Sequence, residues 1–424
     1  MEKFLIEGKN PLEGEITPSG NKNAALPILA ACLLTDEKVT LHNVPNIQDV
    51  QTMKKLLLSL GVLINEIDEH TWEIQALEII PADLDPELCS KIRASILLAG
   101  PMLARMGEIK LPPPGGDVIG RRRVDTHILA LKNFGAHIKY NRFFNFQADR
   151  LQGAEILLDE ASVTATENAI MAAVTAQGSS VIRNAASEPH IQELCNFLNS
   201  IGGKIENIGS NTLTIHGVEK LHGGDFKIGP DYLEVVSFIG ASVITGGCIT
   251  IRNAGVSHLD MVRMVFRRLG VEWEIENDDI IVPKGQKMEI EPDLGEMIPE
   301  ISVMPWPSFP TDLMSIAIVV ATQSTGTVLF HDWMYPSRMF FTDKLVGMGA
   351  HIILCDPHRC IVQGRSQLYS EKRESPDIRA GMALLLATLA AEGCSTIRNV
   401  SQIDRGYERI DEKLRKLGAN ITRI

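Results

Sequence analysis

The sequence has little of three things that would point to particular classes of protein: net positive charge, long uninterrupted apolar runs and an even set of cysteines. Among its 424 residues, 41 Lys and Arg stand against 53 Asp and Glu, which gives a net charge of −12. This acidic balance disfavours a general nucleic-acid binder and a protein that lies on anionic membrane surfaces. We therefore expect neither nucleic acid nor membrane as a partner, although a small basic pocket fits the same composition.

The apolar stretches and the cysteines exclude further classes. The opening MEKFLIEGKNPLEG has no apolar core of signal-peptide length. The stretch VVSFIGASVITGGCITI contains glycines where a turn should fall, so it predicts a buried helix, a turn and a strand rather than a membrane span. The seven cysteines are scattered and odd in number, as expected of free thiols in a reducing cytoplasm. The sequence thus predicts a cytoplasmic protein.

One short stretch, CDPHRC, has two interpretations. Cys355, His358 and Cys360 could hold a metal ion. The stretch lies between two apolar runs with Asp-Pro at the turn, which favours a β-hairpin with incidental cysteines. We therefore expect no metal site.

A sixfold internal repeat organises the chain. Six similar phrases share a glycine that is expected to end an amphipathic helix and open a strand: Gly61, Gly135, Gly202, Gly270, Gly349 and Gly418. Six segments rich in Ala and Leu alternate with them and predict helices buried on all sides. Six units of roughly 70 residues predict an α/β fold with two domains of three units each, with the buried helices inside and the sheets outside.

Charged and polar residues gather where the buried helices begin. N-capping is the ordinary explanation for the polar ones, which are Asn23, Asp231, Asp312 and Asp377. It does not explain three cations, which are Lys22, Arg93 and Arg379. Cations near a helix N-terminus oppose the macrodipole, so we interpret these three as marking the place of an anionic ligand.

Several stretches resemble a known family over the whole chain: SGNKNAALPILAACLL, RASILLAGPMLAR, GGDVIGRRRVDTHI, FPTDLM, SPDIRAG and IDRGYERIDEKLRKLGANI. In this order they resemble the enolpyruvyl transferase (EPSP synthase-like) superfamily, and within it the branch that acts on UDP-N-acetylglucosamine. The resemblance implies two inside-out α/β barrel domains, each of three repeated βαβαββ-type units. It assigns residues 22–229 to the first domain and residues 1–21 plus 230–424 to the second, with the active site in the cleft between them.

The resemblance also implies a reaction. Enolpyruvate would pass from phosphoenolpyruvate to the 3-hydroxyl of UDP-N-acetylglucosamine, with release of phosphate and without a metal or organic cofactor. This step commits the sugar nucleotide to peptidoglycan, so cell-wall biogenesis, cell shape and cell division are the expected processes.

Residue by residue, the same resemblance assigns the charged positions. Lys22, Arg122 and Arg405 match residues that bind phosphoenolpyruvate, and guanidinium groups suit its carboxylate and phosphate. Asp312 matches the carboxylate that accepts the proton of the sugar hydroxyl. The remaining matches are contacts of the sugar nucleotide or charges that line the cleft: Asn23, Arg93, Val124, Asp125, Thr126, Ser162, Val163, Thr164, Met334, Arg338, Asp377 and Arg379. Arg122 is matched to the sugar nucleotide as well.

The loop at residues 111–121 raises a separate question. Asp117 could form a surface salt bridge with the arginines at 121–123, or it could carry a proton. It stands where the family usually has a cysteine that protonates the methylene carbon of phosphoenolpyruvate. The resemblance therefore assigns Asp117 as a general acid, on a mobile loop with Gly115 and Gly116 as its hinge. A carboxylate is a far weaker nucleophile than a thiolate, so we expect resistance to fosfomycin, which alkylates that cysteine.

Other departures leave alternatives open. Tyr232 replaces a family arginine, and Pro336 and Ser337 replace a Glu-Asn pair. These changes are the only support for a paralogue that binds or regulates without catalysis. The sister reaction on shikimate 3-phosphate is a further alternative, but CSKIRASILLAG lacks the phosphate motif of that branch.

Overall fold

The computed structural model describes residues 2–80, 83–117, 119–120 and 122–424, so Val118 and Arg121 of the predicted mobile loop lie outside it. Contacts divide these residues into two compact units. The first unit contains residues 20–80, 83–117 and 122–229, and the second contains residues 2–19, 119–120 and 230–424. Within the described ranges, no helix combines the length and the apolar character needed to cross a membrane.

The helices of the described residues alternate between buried and amphipathic members. The α-helices are α1 (Lys22–Ala31), α2 (Gln48–Ser59), α3 (Pro86–Lys91), α4 (Ala99–Met106), α5 (Asp125–Asn133), α6 (Val163–Ala173), α7 (Pro189–Ser200), α8 (Tyr232–Thr245), α9 (Asp260–Arg268), α10 (Met314–Gln323), α11 (Thr342–Gly347), α12 (Ile378–Ala390), α13 (Ser401–Asp404) and α14 (Ile410–Lys416). Short 3₁₀ turns cover Cys32–Leu34, Arg93–Leu98, Val256–His258, Thr311–Leu313 and Arg338–Phe341.

The strands are short, and each unit builds three small sheets from them. They are β1 (Lys3–Glu7), β2 (Glu13–Ile16), β3 (Val39–His42), β4 (Leu63–Glu66), β5 (Trp72–Gln75), β6 (Glu108–Leu111), β7 (His137–Tyr140), β8 (Phe144–Gln147), β9 (Glu155–Leu157), β10 (Ser179–Arg183), β11 (Ile205–Glu206), β12 (Thr212–His216), β13 (Gly224–Lys227), β14 (Cys248–Ile251), β15 (Glu274–Glu276), β16 (Asp279–Val282), β17 (Glu300–Ser302), β18 (Gly326–His331), β19 (Ile352–Asp356), β20 (Arg359–Gly364), β21 (Lys372–Glu374), β22 (Cys394–Arg398) and β23 (Asn420–Arg423).

The sheets follow one pairing pattern. In the first unit the strand orders are β13-β3-β5-β4, β6-β8-β7 and β11-β12-β10-β9. In the second unit they are β15-β16-β14-β2, β17-β18-β20-β19 and β21-β22-β1-β23. Five of these sheets add one parallel strand to an otherwise antiparallel set, as β13 does beside β3 and β2 beside β14. In both units, therefore, strands that are distant in sequence pair within one sheet.

The predicted repeat is confirmed at its glycines. All six adopt the left-handed conformation, with φ between 78° for Gly270 and 102° for Gly202. They follow the amphipathic helices α2, α5, α7, α9, α11 and α14, where a residue without Cβ meets no steric penalty.

The predicted buried helices are confirmed as well. In the second unit α8, α10 and α12 contact one another, and their residues are almost entirely buried. In the first unit α4 and α6 pack together, and α1 contacts the Arg93–Leu98 turn that precedes α4. Each unit has its own hydrophobic core, and the mixed α/β class that the sequence predicted is confirmed.

Two local predictions have clear outcomes. The stretch from Val235 to Ile251 forms most of α8, a turn and β14, so the helix-turn-strand prediction is confirmed. β19 pairs antiparallel with β20, so CDPHRC is the predicted hairpin, with Cys355 exposed and Cys360 buried.

Candidate active site

The glycines before Asp117 are required by close packing. A Cβ on Gly115 would lie 1.6 Å from the carbonyl oxygen of Ser90, and the Gly115 N–H donates to the Cys89 carbonyl at 3.2 Å. Gly116 has φ +105°, and a Cβ there would lie 3.0 Å from the Arg93 Cβ and 3.1 Å from the Arg122 guanidinium. Asp117 follows and is half-buried. The structure thus places Gly116, the residue before Asp117, beside two of the predicted ligand-binding arginines. A hinge at the glycines stays a prediction.

The segment predicted to hold the sugar nucleotide is organised around one carboxylate. Arg93 Nη2 donates to the Arg123 carbonyl at 2.5 Å, and Arg123 Nη2 donates to Asp159 Oδ2 at 3.0 Å. Thr126 Oγ1 donates to the other oxygen of Asp159 at 2.6 Å, and Arg123 also binds Asp125. The hydrogen bond from Thr126, and with it the charge and hydrogen bond of Arg123, lower the pKa of Asp159. Asp159, which the sequence did not single out, fixes the turn that presents Arg122 to Thr126.

A neutral hydrogen-bond chain connects this turn to the start of α6. The Gly100 N–H donates to Asn168 Oδ1 at 2.8 Å, which leaves Asn168 Nδ2 to donate to the Ile96 carbonyl at 2.8 Å and to His127 Nδ1 at 2.9 Å. His127 Nδ1 is therefore an acceptor, so Nε2 carries the hydrogen and donates to Thr164 Oγ1 at 3.1 Å.

The protonation state of His127 follows from its surroundings. Burial, assisted by the Arg93 charge, lowers the pKa of His127 from 6.5 to about 3. The ring is therefore neutral at physiological pH. Together, the two networks bring Arg93, the turn at 122–126 and the segment Ser162–Thr164 into one region of the first unit.

Lys22 has a carboxylate partner inside the first unit. It is the first residue of α1, and its Nζ lies 2.7 Å from Asp49 Oδ2, with both side chains buried. Asp49 is in the first turn of α2 and was not predicted to matter. The ion pair explains how a lysine can be buried at a helix N-terminus.

In the second unit, Asp312 lies between two buried guanidinium groups. Arg338 Nη2 donates to Asp312 Oδ1 at 2.9 Å, and Arg379 Nη2 lies 3.3 Å from Oδ2. Burial works to lower the pKa of Arg338 and Arg379, but the Asp312 charge and the other acidic groups around them together outweigh it, so the pKa of both is raised. In general, nearby guanidinium groups favour the ionised form of a carboxylate. An ionised Asp312 is in the form that can accept a proton.

The remaining predicted residues of the second unit are Asp377, Arg405 and Met334. The Asp377 side chain accepts from the Arg379 and Ala380 N–H groups at the start of α12. The Arg379 guanidinium lies over the Tyr407 ring at 5.7 Å. Arg405 follows α13 and donates to Gln402 at 3.0 Å, and Met334 lies at the turn after β18.

Two expectations about helix starts need correction. The N-cap of α1 is Asn21, whose side chain accepts from the Asn23 N–H, so capping by Asn23 was wrong. Asp312 caps no helix, because its carboxylate is turned to the arginines. Capping by Asp231 and Asp377 is confirmed. Protein carboxylates also balance Lys22 and Arg379, so those cations do not by themselves require an anionic ligand.

The residues that depart from the family pattern, Tyr232, Pro336 and Ser337, have defined contacts in the structure. The Tyr232 ring packs at 6.2 Å from Trp306, which lies 6.4 Å from His258 in an edge-to-face arrangement. A Cβ on Gly120, with φ +120°, would lie 2.9 Å from the Pro336 ring, and the Ser337 N–H donates to the Ile119 carbonyl at 3.4 Å. The changed positions 336 and 337 thus contact the described end of the loop that carries Asp117.

Comparisons with known proteins place the chain in a family. The family model of EPSP synthase (3-phosphoshikimate 1-carboxyvinyltransferase) matches residues 6–414. A protein of Bradyrhizobium diazoefficiens named UDP-N-acetylglucosamine 1-carboxyvinyltransferase is 55% identical over 422 residues, which cover 100% of this chain and 98% of the relative. A protein of Treponema denticola with the same name is 51% identical over 421 residues, 99% of either chain.

Solved structures agree on the fold. The enolpyruvyl transferase NikO from Streptomyces tendae matches with a TM-score of 0.88 at 23% identity, over 100% of this chain and 99% of that one. EPSP synthase from Acinetobacter baumannii matches with a TM-score of 0.78 at 17% identity, over 100% of both chains. At these identities the likeness shows the fold alone.

Proposed function

Since the chain belongs to the EPSP synthase family of enolpyruvyl transferases, we propose that it transfers enolpyruvate from phosphoenolpyruvate to the 3-hydroxyl of UDP-N-acetylglucosamine and releases phosphate. The observation that carries this proposal is identity of 55% and 51%, over essentially the whole chain, to relatives named for that transfer.

Shikimate 3-phosphate is the second candidate acceptor, because the family model takes its name from that reaction. The identity to a solved EPSP synthase is only 17%, and the chain lacks the phosphate motif of that branch. A paralogue without catalysis is disfavoured because Lys22, Arg122, Asp312 and Arg405 are all retained.

The residues divide into four roles. Lys22, Arg122 and Arg405 bind the carboxylate and phosphate of phosphoenolpyruvate, since ammonium and guanidinium groups are the natural partners of both. The turn at 122–126 holds the uridine and Ser162–Thr164 holds the diphosphate, with Arg93 beside them. Asp312 accepts the proton of the sugar hydroxyl, and Asp117 supplies a proton to the methylene carbon of phosphoenolpyruvate.

The finer architecture belongs to the same proposal. Each unit is an inside-out α/β barrel of three repeats, and the domains are residues 22–229 and residues 1–21 plus 230–424. Three buried helices and three sheets in each unit support that assignment. The location of the site in a cleft between the domains stays a prediction, as do the cytoplasmic location, the role in peptidoglycan synthesis and cell division, and the resistance to fosfomycin.

A direct assay tests the function. Purified protein is mixed with phosphoenolpyruvate and either UDP-N-acetylglucosamine or shikimate 3-phosphate, and released phosphate is measured over time. We expect release that depends on UDP-N-acetylglucosamine. Release with shikimate 3-phosphate instead would establish the second candidate, and release with neither acceptor would support the paralogue.

A further inference from the structure

One buried carboxylate joins the two segments that carry the charged cluster of the second unit. Asp312 lies in the turn Thr311–Leu313, and Arg338 opens the turn Arg338–Phe341. Asp332 follows β18, belongs to neither turn, and is completely shielded from solvent at 0% exposure. None of the motifs that identify the family includes Asp332.

Asp332 receives hydrogen bonds from the first turn and from the stretch of chain that leads into the second. Thr311 Oγ1 donates to Asp332 Oδ2 at 2.6 Å, and Thr311 is the residue before Asp312. The N–H groups of Met334 and Tyr335 donate to Asp332 Oδ1 at 3.1 and 3.3 Å. One carboxylate oxygen therefore binds the Thr311–Leu313 turn. The other binds residues 334–335, and the Tyr335 carbonyl in turn accepts from the Arg338 N–H at 3.1 Å.

The backbone of Asp332 is held as firmly as its side chain. Its N–H donates to the His358 carbonyl at 2.8 Å, and its own carbonyl lies 2.7 Å from His358 Nδ1. His358 lies at the tip of the β19-β20 hairpin, so the carboxylate is anchored to a sheet and not to a free loop. A buried charge anchored in this way can fix the geometry of the groups that donate to it.

The contacts close into a ring. Arg338 Nη2 lies 2.9 Å from Asp312 Oδ1, and the Arg338 guanidinium lies over the Tyr335 ring at 5.2 Å. From Asp332 the connection therefore runs through Thr311 to Asp312, across to Arg338, and back through Tyr335. Burial raises the pKa of Asp332, while the Thr311 hydrogen bond and the Arg338 charge oppose that rise.

We propose that Asp332 is a positioning residue that orients Asp312 toward the acceptor hydroxyl by holding Thr311 and the Met334–Tyr335 turn. The proposal rests on the function proposed above. Asp332 itself does not contact the reacting atoms in this scheme. Its effect passes through Asp312, so losing it should slow the reaction without weakening the binding of the sugar nucleotide.

The cleanest variant removes one hydrogen bond and leaves the buried charge in place. Thr311→Val keeps the side-chain shape and deletes the hydroxyl, whereas Thr311→Ser restores a hydroxyl. Thr342→Val is the matched control, because Thr342 is also a threonine close to Arg338 but donates to the Met339 carbonyl at 2.8 Å, away from Asp332. Asp332→Asn is a second variant that removes the charge at nearly constant volume.

Each protein is measured for kcat in phosphate release, for Kd of UDP-N-acetylglucosamine by calorimetry, and for its thermal unfolding midpoint. We expect Thr311→Val to lower kcat about tenfold while Kd changes by less than about twofold. Thr311→Ser should return kcat to within about twofold of the wild type. Asp332→Asn should lower kcat at least as far, and its effect should not add to that of Thr311→Val.

If the wild-type protein is active, three outcomes would overturn the positioning role of Asp332 and leave the proposed function intact. They are an unchanged kcat in Thr311→Val, no rescue by Thr311→Ser, or an equal loss of kcat in Thr342→Val. The last would mean that any loosening of this region slows the reaction. A wild-type protein that transfers nothing to UDP-N-acetylglucosamine would overturn the proposed function, and this inference with it.

Discussion

Two clusters of candidate residues, one in each unit, are held by different chemistry. In the first unit, a chain of neutral groups from Asn168 through His127 to Thr164 directs hydrogen-bond donors and acceptors. In the second unit, Asp312 lies between Arg338 and Arg379, so buried charges dominate. Neutral groups of fixed direction suit a ligand that is held alike before and during the reaction, whereas charges suit a transition state in which charge develops.

This difference predicts two kinds of variant. Changes in the neutral chain of the first unit should alter the KM for the sugar nucleotide. Changes in the charged cluster of the second unit should alter kcat. Asp117, a carboxylate in the first unit, should behave like the second group because its proposed role is proton transfer.

The largest effect is expected from the charged cluster. Asp312→Asn keeps the side-chain shape but removes the proton acceptor, so kcat should fall about a thousandfold with little change in the Kd of UDP-N-acetylglucosamine. Steady-state phosphate release and calorimetry measure the two quantities. Turnover near that of the wild type would mean that Asp312 is not the base.

Asp117 is the residue of the first unit whose replacement should lower kcat. Asp117→Asn cannot donate the proton, so kcat should fall about a hundredfold. Asp117→Cys should stay active and become sensitive to fosfomycin, because a thiolate attacks an epoxide far better than a carboxylate does. The assay measures the loss of activity over time in the presence of fosfomycin, for the wild type and for Asp117→Cys. An active Asn variant with an unchanged pH profile would make Asp117 a surface salt bridge.

The neutral chain should give a smaller effect of a different kind. Thr164→Val removes the hydroxyl that receives the His127 hydrogen bond, so the KM for UDP-N-acetylglucosamine should rise about fivefold to tenfold. Because this contact is the same before and during the reaction, kcat should hardly change. Thr164→Ser is the control and should retain the wild-type KM. A selective fall in kcat would contradict the division between the units.

The last expected effect is on the free energy of unfolding and not on the reaction. Unfolded histidine has a pKa of about 6.5, whereas that of folded His127 is about 3. Between these two pH values the unfolded state binds a proton at this histidine and the folded state does not. The free energy of unfolding therefore decreases as pH falls from about 6.5 toward 3, by up to about 1.4 kcal/mol per pH unit.

Urea unfolding at pH 7, 6 and 5 measures this slope. His127→Asn should flatten it, because the titrating ring is gone. His137→Asn is the control, since His137 is an exposed histidine of the same unit. Equal slopes in the wild type and in His127→Asn would mean that the ring is not held neutral.

Much of the fold was predictable, because the signals are local. Glycine after an amphipathic helix identified all six repeats, and freedom from charge identified the buried helices. Helix starts were less predictable: Asn21 and Asn23 are both reasonable caps, and only the backbone geometry selects Asn21. Site residues were found where a family motif includes them and the resemblance gives them a role. His127 lies within GGDVIGRRRVDTHI but was assigned no role, and Asp49, Asp159 and Asp332 have no sequence signal that separates them from other polar residues.

The sequence by itself determined the α/β class, the sixfold repeat and the positions of the buried helices, since these depend on periodicity within a few turns of chain. Only the tertiary structure decided that Lys22 pairs with Asp49, that Asp312 faces two arginines rather than capping a helix, and that His127 is neutral. The physical reason is that charge state and partner choice depend on burial and on groups distant in sequence. No local pattern of residues encodes those distances.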